Sequence, residues 1–403
     1  MKILKPWQEL PGRAISLSVG ITVLSLVYFM IIPLLALYLS VKLHTPSVRI
    51  GMVLAVLAVS NQGLQFVVGI ISDRLGIKLI LSLGIVVACL GFVGFALRPA
   101  FDAEMLCAFA VGLGTAATSV LGKALLVQMA GERRMSALAI RAAAVNGGAA
   151  VGPVFGALLF NMFPTALLAT AAVYVAFWLI LVRRMPGRSA RPQLEQPAKQ
   201  STMECLFANG ALVGLALVSI GYWFMYTQLT FTFPLYAHDR FALSGHVSFL
   251  FTLEAVIAVF VQYPAIKWLS CHVGPWVILM IGCGILAAAF LALATIPYAW
   301  ALIVFIVLFA LGALLMGPTL DVLATSLSPD SKTAGSLGVA SLGWAVGGLL
   351  GNLAGGAGYE AASLAGRFNT FWFFVAVVGA ATSAAFGLLR RRYVRSPILD
   401  MST

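Results

Sequence analysis

Residues 69–78 read Gly-Ile-Ile-Ser-Asp-Arg-Leu-Gly-Ile-Lys, a short charged interval between two long apolar runs. Each run is long enough to cross a bilayer, because a membrane-spanning helix needs about 20 apolar residues. Gly69 permits close approach of another helix, and Gly76 permits a left-handed turn. Asp73 can cap a helix N-terminus. The stretch therefore predicts a tight turn that joins two consecutive membrane spans.

The composition of the whole chain is typical of an integral membrane protein. Hydrophobic residues make up 61% of the 403 residues and charged residues 9%, whereas soluble domains carry about 25% charged residues. The net charge of +12 would suggest nucleic acid in a soluble protein. Here the basic residues lie in short loops between apolar runs, so the charge indicates topology. We expect the lipid bilayer, and no nucleic acid, as the partner.

Twelve apolar segments fall into two sets of six, separated by one long polar stretch rich in Pro, Ser, Gln and Arg. We predict an all-α membrane protein with an N-terminal six-helix bundle at 1–182, a cytoplasmic linker at 183–205 and a C-terminal six-helix bundle at 206–403. With the N-terminus in the cytoplasm, most of the 25 Lys and Arg residues fall on the cytoplasmic side. Both termini are therefore predicted to be cytoplasmic.

Six helices, a basic linker and six more helices is the layout of the major facilitator superfamily. The loop at 69–78 resembles the signature of that family, G-x-x-x-D-R-x-G-x-[RK], between its second and third spans. The matched positions are Gly69, Asp73, Arg74, Gly76 and Lys78. In the family this loop latches the two halves in the outward-facing state, so the resemblance implies a gating role. The alternative is a charged turn that only fixes topology.

Residues 148–157, GAAVGPVFGA, are similar to the antiporter motif of the family, G-x-x-x-G-P-x-x-G-G, with Ala157 in place of the last glycine. The matched positions are Gly148, Gly152, Pro153 and Gly156. Glycines four residues apart form a smooth helix face on which a neighbouring helix packs closely, and Pro153 removes one backbone hydrogen bond. The motif marks exporters in the family. The alternative is ordinary small-residue packing.

Two further features concern the twelve-span drug:proton antiporter branch of the family. Pro33 in the first span resembles the first-span motif of that branch. The arginine that the family carries in its fourth span, tied to proton coupling, is absent here. Lys123 in the same span either supplies the positive charge or extends to the membrane interface.

Four ionisable residues lie inside predicted spans, namely Lys123, Arg141, Glu254 and Asp321. A charge in hydrocarbon costs about 2.5–3.5 kcal/mol, so each should face a cavity or a partner. Glu254 is the deepest carboxylate and our candidate proton carrier, with a structural acid as the alternative. Asp321 is a second coupling candidate, although a structural pair near a helix end is the favoured interpretation. For Arg141 we favour a structural gate partner over a substrate anchor.

Polar and aromatic side chains inside the predicted spans are candidates for the substrate cavity: Tyr28, Gln62, Gln65, Asn146, Tyr222, Trp223 and Tyr226. The last three share one helical face because they are three and four residues apart. An aromatic wall suits amphipathic substrates, and the alternative is an aromatic belt at the membrane interface. No residue set resembles a catalytic triad, a P-loop or a metal site. We therefore expect no enzyme activity, no cofactor and no metal.

Together these features imply multidrug-type efflux, the proton-coupled export of a small organic or amphipathic molecule by alternating access. The proton gradient is the expected energy source, and a monomer in the bacterial inner membrane is the expected form. A dedicated exporter of one metabolite such as a siderophore, and an uptake permease or facilitator, stay open as alternatives. A membrane-embedded enzyme or receptor is disfavoured, because the sequence offers neither a catalytic constellation nor a soluble sensing domain.

Overall fold

The structure, a computed structural model, describes residues 12–97, 100–130, 134–184, 209–243, 247–327 and 333–393. All regular secondary structure within these ranges is helical, as the composition predicts.

Backbone packing divides the chain into unit 1, residues 1–197 with 243–252, and unit 2, residues 198–242 with 253–403. Most of the predicted linker lies outside the described residues, so the predicted domain boundaries stay a prediction.

Unit 1 contains seven described α-helices built from long apolar runs. They are α1 (Gly12–Leu43), α2 (Ser47–Ala58), α3 (Gln65–Leu75), α4 (Ile77–Ala96), α5 (Phe101–Ala130), α6 (Arg134–Leu158) and α7 (Phe163–Arg184). A π-helical turn at Val59–Gly63 follows α2, and Leu64 connects it to α3. Gly76, at φ 96° and ψ 139°, ends α3 and allows the chain to reverse into α4.

Three helix pairs organise unit 1. The most extensive pairing joins α1 to α6, and α4 packs on both α5 and α7. The buried ring of Tyr38 on α1 stacks on Phe163 of α7, with 4.4 Å between ring centroids. Because lipid tails are as apolar as leucine, such close packing, rather than the hydrophobic effect, holds membrane helices together.

The other seven described α-helices belong to unit 2, except that the first six residues of the third of them, 247–252, are assigned to unit 1. They are α8 (Gly210–Thr230), α9 (Thr232–Phe241), α10 (Val247–Ser270), α11 (Pro275–Thr295), α12 (Ala301–Ser326), α13 (Thr333–Leu364) and α14 (Phe368–Tyr393). A break at Phe231, with φ −114° and ψ −75°, separates α8 from α9. Pro234 lies in the first turn of α9, where a missing backbone N–H costs little.

The main pairings in unit 2 are α8 with α13, and α11 with both α12 and α14. Each unit has six segments when α2 and α3 are counted as one segment, and α8 and α9 as another. In both units the first segment then pairs with the fifth, and the third segment pairs with the fourth and the sixth. Its core is aromatic, since the buried rings of Phe305 and Trp372 lie with centroids 5.1 and 5.9 Å from that of Phe290. The shared pattern is what an internal repeat of six segments produces.

The outward faces of the helices are apolar. Leu90, Leu179 and Phe373 are all exposed, which suits contact with lipid rather than water. Nine described helices, namely α1, α4, α5, α7, α8, α10, α11, α12 and α14, are long and apolar enough to cross a bilayer. Segments α2–α3, α6 and α13 are not among these nine, so the count of twelve spans stays a prediction. The chain is a multi-pass integral membrane protein.

Candidate functional site

A chain of hydrogen-bonded amides lies in unit 1, at the π-helical turn between α2 and α3. Gln65 Nε2 donates to Gln62 Oε1 at 3.0 Å, and Gln62 Nε2 donates to Asn61 Oδ1 at 2.7 Å. Asn61 Nδ2 then donates to the hydroxyl of Thr115 on α5 at 2.6 Å. Gln62 and Gln65 are half-buried, whereas Asn61 and Thr115 are buried. The turn therefore places two reachable amides on a fixed polar support, and single π turns often mark functional sites.

The polar surface of α5 continues one turn further, at Ser119. Thr115 and Ser119 are four residues apart, so their side chains lie on the same helix face, about 6 Å apart along the axis. Ser119 Oγ accepts a hydrogen bond of 3.2 Å from Nη2 of Arg141 on α6. The Nε of this partly buried arginine is enclosed without a hydrogen-bond partner. Unit 1 thus holds a cation bound by neutral groups.

Unit 2 carries an aromatic cluster on α8 and α13. The rings of Tyr222, Trp223 and Tyr226 lie with centroids 4.7 to 6.0 Å apart, so the predicted shared face is present. Trp344 of α13 stacks on Trp223 with centroids 4.3 Å apart and ring planes only 7° from parallel. Tyr226 also contacts Phe309 of α12 at 6.0 Å. Tyr222 is buried and Trp223, Tyr226 and Trp344 are partly exposed, so the accessible part of the cluster is the indole pair with Tyr226.

Glu254 lies two turns into α10 and interacts electrostatically with the Tyr222 hydroxyl. The side chain is partly exposed. Among the residues that the structure describes, its carboxylate has no hydrogen-bond or ion-pair partner. A carboxylate at such a position in a span must be hydrated, protonated or met by a ligand.

Sequence comparison assigns the family. Residues 17–352, most of the chain, match the sequence model of the Major Facilitator Superfamily. The chain belongs to the Major Facilitator Superfamily. It is accordingly a membrane transporter and not an enzyme.

Known members of the superfamily are similar along nearly the whole chain. Multidrug resistance protein MdtH of Yersinia pestis (strain Pestoides F) is 25% identical over 384 residues, which cover 93% of this chain and 94% of that protein. An uncharacterized MFS-type transporter of Mycobacterium tuberculosis (strain H37Rv) is 26% identical over 364 residues, 87% of each chain. The crystal structure of the nucleoside transporter NupG superposes with a TM-score of 0.79, at 16% identity, over 94% of this chain and 99% of that one. The structure of the POT family transporter PepTSo gives 0.77, at 15% identity, over 96% and 99%. These two structures establish the fold.

The superfamily loop signature is partly visible between α3 and α4. Arg74 is exposed, Lys78 is partly buried and Gly76 adopts the positive φ that the turn requires. The side chain of Asp73 lies outside the described residues. Open space surrounds Gly69, so the close helix approach expected there is wrong for this conformation. The gating role of the loop stays a prediction.

The glycines of the antiporter motif form the contact between α6 and α1. A Cβ on Gly148 would lie 2.8 Å from the backbone nitrogen of Leu26, and one on Gly152 would lie 2.8 Å from that of Met30. Gly156 faces the carbonyl oxygen of Met30 in the same way. The predicted close packing is therefore confirmed. Pro153 lies within the same helix, and whether this packing serves export stays a prediction.

An equivalent stripe joins α13 to α8. Its members are Gly343, Gly347, Gly351 and Gly355. A Cβ on Gly343 would lie 2.6 Å from the carbonyl oxygen of Ala216, and one on Gly347 equally close to that of Ile220. The fifth segment of each unit thus approaches the first at backbone distance.

The other predicted site residues have different surroundings. Asp321 is exposed on the last part of α12 and Lys123 is exposed on α5, so neither is enclosed within its own unit. Tyr28 is partly buried, and its ring contacts Phe29 edge to face at 5.4 Å. The side chain of Asn146 lies outside the described residues. The transport roles of these residues, and of Glu254 and the aromatic cluster, stay predictions.

Sequence reasoning missed the partners that complete these sites. Trp344 was not recognised as part of the aromatic cluster, because its stacking partner is on a helix distant in sequence. Ser119 was overlooked because a single serine in an apolar run carries no distinctive pattern. The spacing of four between Thr115 and Ser119 was the available signal for the polar face of α5.

Proposed function

We propose that this transporter exports small organic, amphipathic molecules in exchange for protons, by alternating access. Membership of the transporter superfamily is established. Similarity to a protein named for multidrug resistance supports export of organic compounds. The glycine stripe of α6, which matches the antiporter motif, supports the direction of transport.

The observation that carries the coupling is the placement of Glu254. A group that exchanges protons inside a membrane protein needs a carboxylate deep in a span, open to exchange and free of a fixed ion pair. Glu254 lies two turns into α10, is partly exposed and has no ion-pair partner among the described residues. Its charge acts on Tyr222, a member of the aromatic cluster, which supports a link between proton exchange and substrate binding. Protonation of Glu254 therefore changes the charge next to the proposed substrate surface, and this links the two events.

The aromatic cluster supports the substrate class. The exposed parts of Trp223, Tyr226 and Trp344 offer flat apolar surfaces with polar edges. Such surfaces bind amphipathic and aromatic molecules with little conformational cost.

The test is pH-driven export by purified protein in liposomes, with a fluorescent amphipathic dye as substrate. Glu254→Gln keeps the shape of the side chain but cannot titrate. We expect it to abolish export driven by the pH gradient while dye binding in detergent is retained. Glu360→Gln, a matched change elsewhere in unit 2, serves as the control and should export normally. Full pH-driven export by Glu254→Gln would exclude this residue from coupling.

The same assay separates the alternatives. Flux that follows the dye gradient alone, with no response to pH in the wild type, would indicate a facilitator. Export of a single compound from a broad panel of dyes, antibiotics and iron chelators would indicate a dedicated exporter. We further propose a functional monomer in the bacterial inner membrane with both termini in the cytoplasm.

A further inference from the structure

Arg141 is an unusual residue for the interior of a membrane protein. It lies two turns into α6, in a chain whose helices expose apolar faces to lipid. A guanidinium stays protonated in proteins, so it cannot avoid its desolvation cost by losing its charge. Arginines at such depth normally pair with a carboxylate or line an aqueous cavity.

The hydrogen bonds of Arg141 in this structure are incomplete. A guanidinium has five N–H donors. The Nη2 donates to the hydroxyl of Ser119 at 3.2 Å and approaches its carbonyl oxygen at 3.5 Å. The Nε is buried without a partner. None of the carboxylates in the described ranges forms an ion pair with Arg141. The cation is therefore held in place by a neutral residue while its charge is left unmatched.

The geometry of the fixed contact leaves the guanidinium open to a ligand. Ser119 binds one end of the planar group and fixes its orientation against α5. The side chain as a whole is only partly buried, so it can be reached from outside the unit. Nη1 forms no hydrogen bond with the described residues and, unlike Nε, is not enclosed, so it can donate a charged hydrogen bond to a carboxylate.

Polar groups that suit the rest of a headgroup lie further along α5 and at the π-helical turn. The polar face of α5 leads from Ser119 to Thr115, which is joined through Asn61 to the half-buried amides of Gln62 and Gln65. Amide groups both donate and accept, so they can bind hydroxyl or amide groups next to a carboxylate.

We propose that Arg141 is the anchor for an anionic group of the transported molecule, so that unit 1 selects amphipathic organic acids. This inference rests on the proposed transport of organic molecules and names the class of headgroup. It departs from a purely structural gate role, which would need a fixed acidic partner.

The test measures equilibrium binding to the full-length protein in detergent, so it does not depend on transport. Isothermal titration calorimetry at neutral pH compares 1-naphthaleneacetate, its uncharged amide 1-naphthaleneacetamide, and 1-naphthylmethylammonium. The three probes share one ring system and differ in charge. We expect the wild type to bind the carboxylate on the order of tenfold more tightly than the amide, because a hydrogen bond between charged partners is stronger than one between neutral groups.

Two variants assign the preference to the residue. Arg141→Gln should bind the carboxylate and the amide equally, and Arg141→Lys should keep part of the preference. Lys123→Gln, which removes another cation of unit 1, should keep all of it. Gel filtration confirms that each variant is folded, and the three-probe comparison on the wild type needs no variant.

Several results would overturn the inference. They are equal affinity of the wild type for carboxylate and amide, tightest binding of the ammonium probe, no binding of the carboxylate at its solubility limit, or a carboxylate preference that survives in folded Arg141→Gln. If the protein shows the expected selectivity but no pH-driven export, the anchor proposal stands and the proposed coupling is wrong. If the protein exports in response to pH but lacks this selectivity, the proposed coupling stands and the anchor proposal is wrong.

Discussion

Gln228 Nε2 on α8 donates a hydrogen bond of 3.0 Å to the carbonyl oxygen of Gly351 on α13. The same nitrogen bonds the carbonyl of Phe224, and Oε1 accepts a bond of 3.0 Å from the hydroxyl of Thr232 across the break that separates α8 from α9. Gln228 is fully buried. One side chain therefore ties together the two parts of a broken helix and the helix pair that carries the aromatic cluster.

Gln228→Leu should destabilise unit 2. The leucine keeps the volume but leaves the Gly351 carbonyl and the Thr232 hydroxyl without these bonds, at a cost of about 1–3 kcal/mol. Thermal stability in detergent, followed by fluorescence-detected gel filtration, should fall by several degrees. Gln262→Leu is the control, since Gln262 makes one bond of 3.3 Å to Leu314 in a part-buried position. Equal stability of the two variants would contradict a special role for Gln228.

Two adjacent glycines of α6 allow a matched test of the packing on α1. A Cβ at Gly148 would meet the backbone of Ser25 and Leu26 at 2.8 Å, whereas none would be met within 4 Å at Gly147. Gly148→Ala should lower the yield of folded protein and its thermal stability, since overpacking costs about 1–3 kcal/mol. Gly147→Ala should be neutral or slightly stabilising, because alanine favours helix. The reverse order of stabilities would show that α6 and α1 do not meet at this face.

The glycine spacing could be recognised from sequence because it is a local pattern with the period of a helix. The identity of the helix it meets could not, since nothing in residues 148–156 specifies α1. For the same reason, the exposure of the Asp321 side chain could not be predicted from the sequence. Counting residues gives depth along α12, but the face on which the carboxylate lies depends on tertiary packing, and the structure places it on an exposed face.

The π-helical turn at Val59–Gly63 was not predictable for a different reason. One extra residue in a helical turn changes the direction of the side chains that follow, and hydrophobic periodicity over so short a run does not register it. Gln62 and Gln65 were identified as candidates because polar residues in a span are costly. Their arrangement as a hydrogen-bonded chain to Thr115 follows from that turn and was not foreseen.

Two glycines of the superfamily loop should respond differently to alanine. Gly76 has φ 96° and ψ 139°, a conformation that costs a residue with a side chain about 1–3 kcal/mol. Gly69 lies within α3 with open space around it. We therefore expect Gly76→Ala to lower both thermal stability and transport, and Gly69→Ala to keep the stability of the wild type. Wild-type stability of Gly76→Ala would mean that the turn adopts another conformation in the membrane.

Native cysteines offer a direct test of orientation. Cys271 is exposed at the turn after α10, on the side predicted to be cytoplasmic, and Cys283 is buried on α11. In a protein that retains Cys271 alone, a membrane-impermeant maleimide should label inside-out vesicles and not right-side-out cells. A protein that retains Cys283 alone should resist labelling in both. Labelling of Cys271 from outside would reverse the predicted topology and place the termini outside the cytoplasm.

The stack of Trp344 on Trp223 should contribute to recognition of aromatic substrates. Aromatic pairs are worth about 0.5–1.5 kcal/mol beyond their buried area, so Trp344→Ala should raise KM for an aromatic dye by roughly three- to tenfold. If the role is binding, kcat should change little and Trp344→Phe should recover most of the affinity. Trp300→Phe, at the exposed start of α12, should leave KM unchanged.

A structural role for the stack would give a different result. Trp344→Ala would then lower thermal stability, reduce kcat, and affect aromatic and non-aromatic substrates alike. Comparing the KM of an aromatic dye with that of an aliphatic amphiphile of similar size separates the two cases. A selective loss for the aromatic dye would place Trp344 at the substrate surface, because only direct ring contact distinguishes the two molecules. An equal loss for both would confine the indole pair to holding α13 against α8.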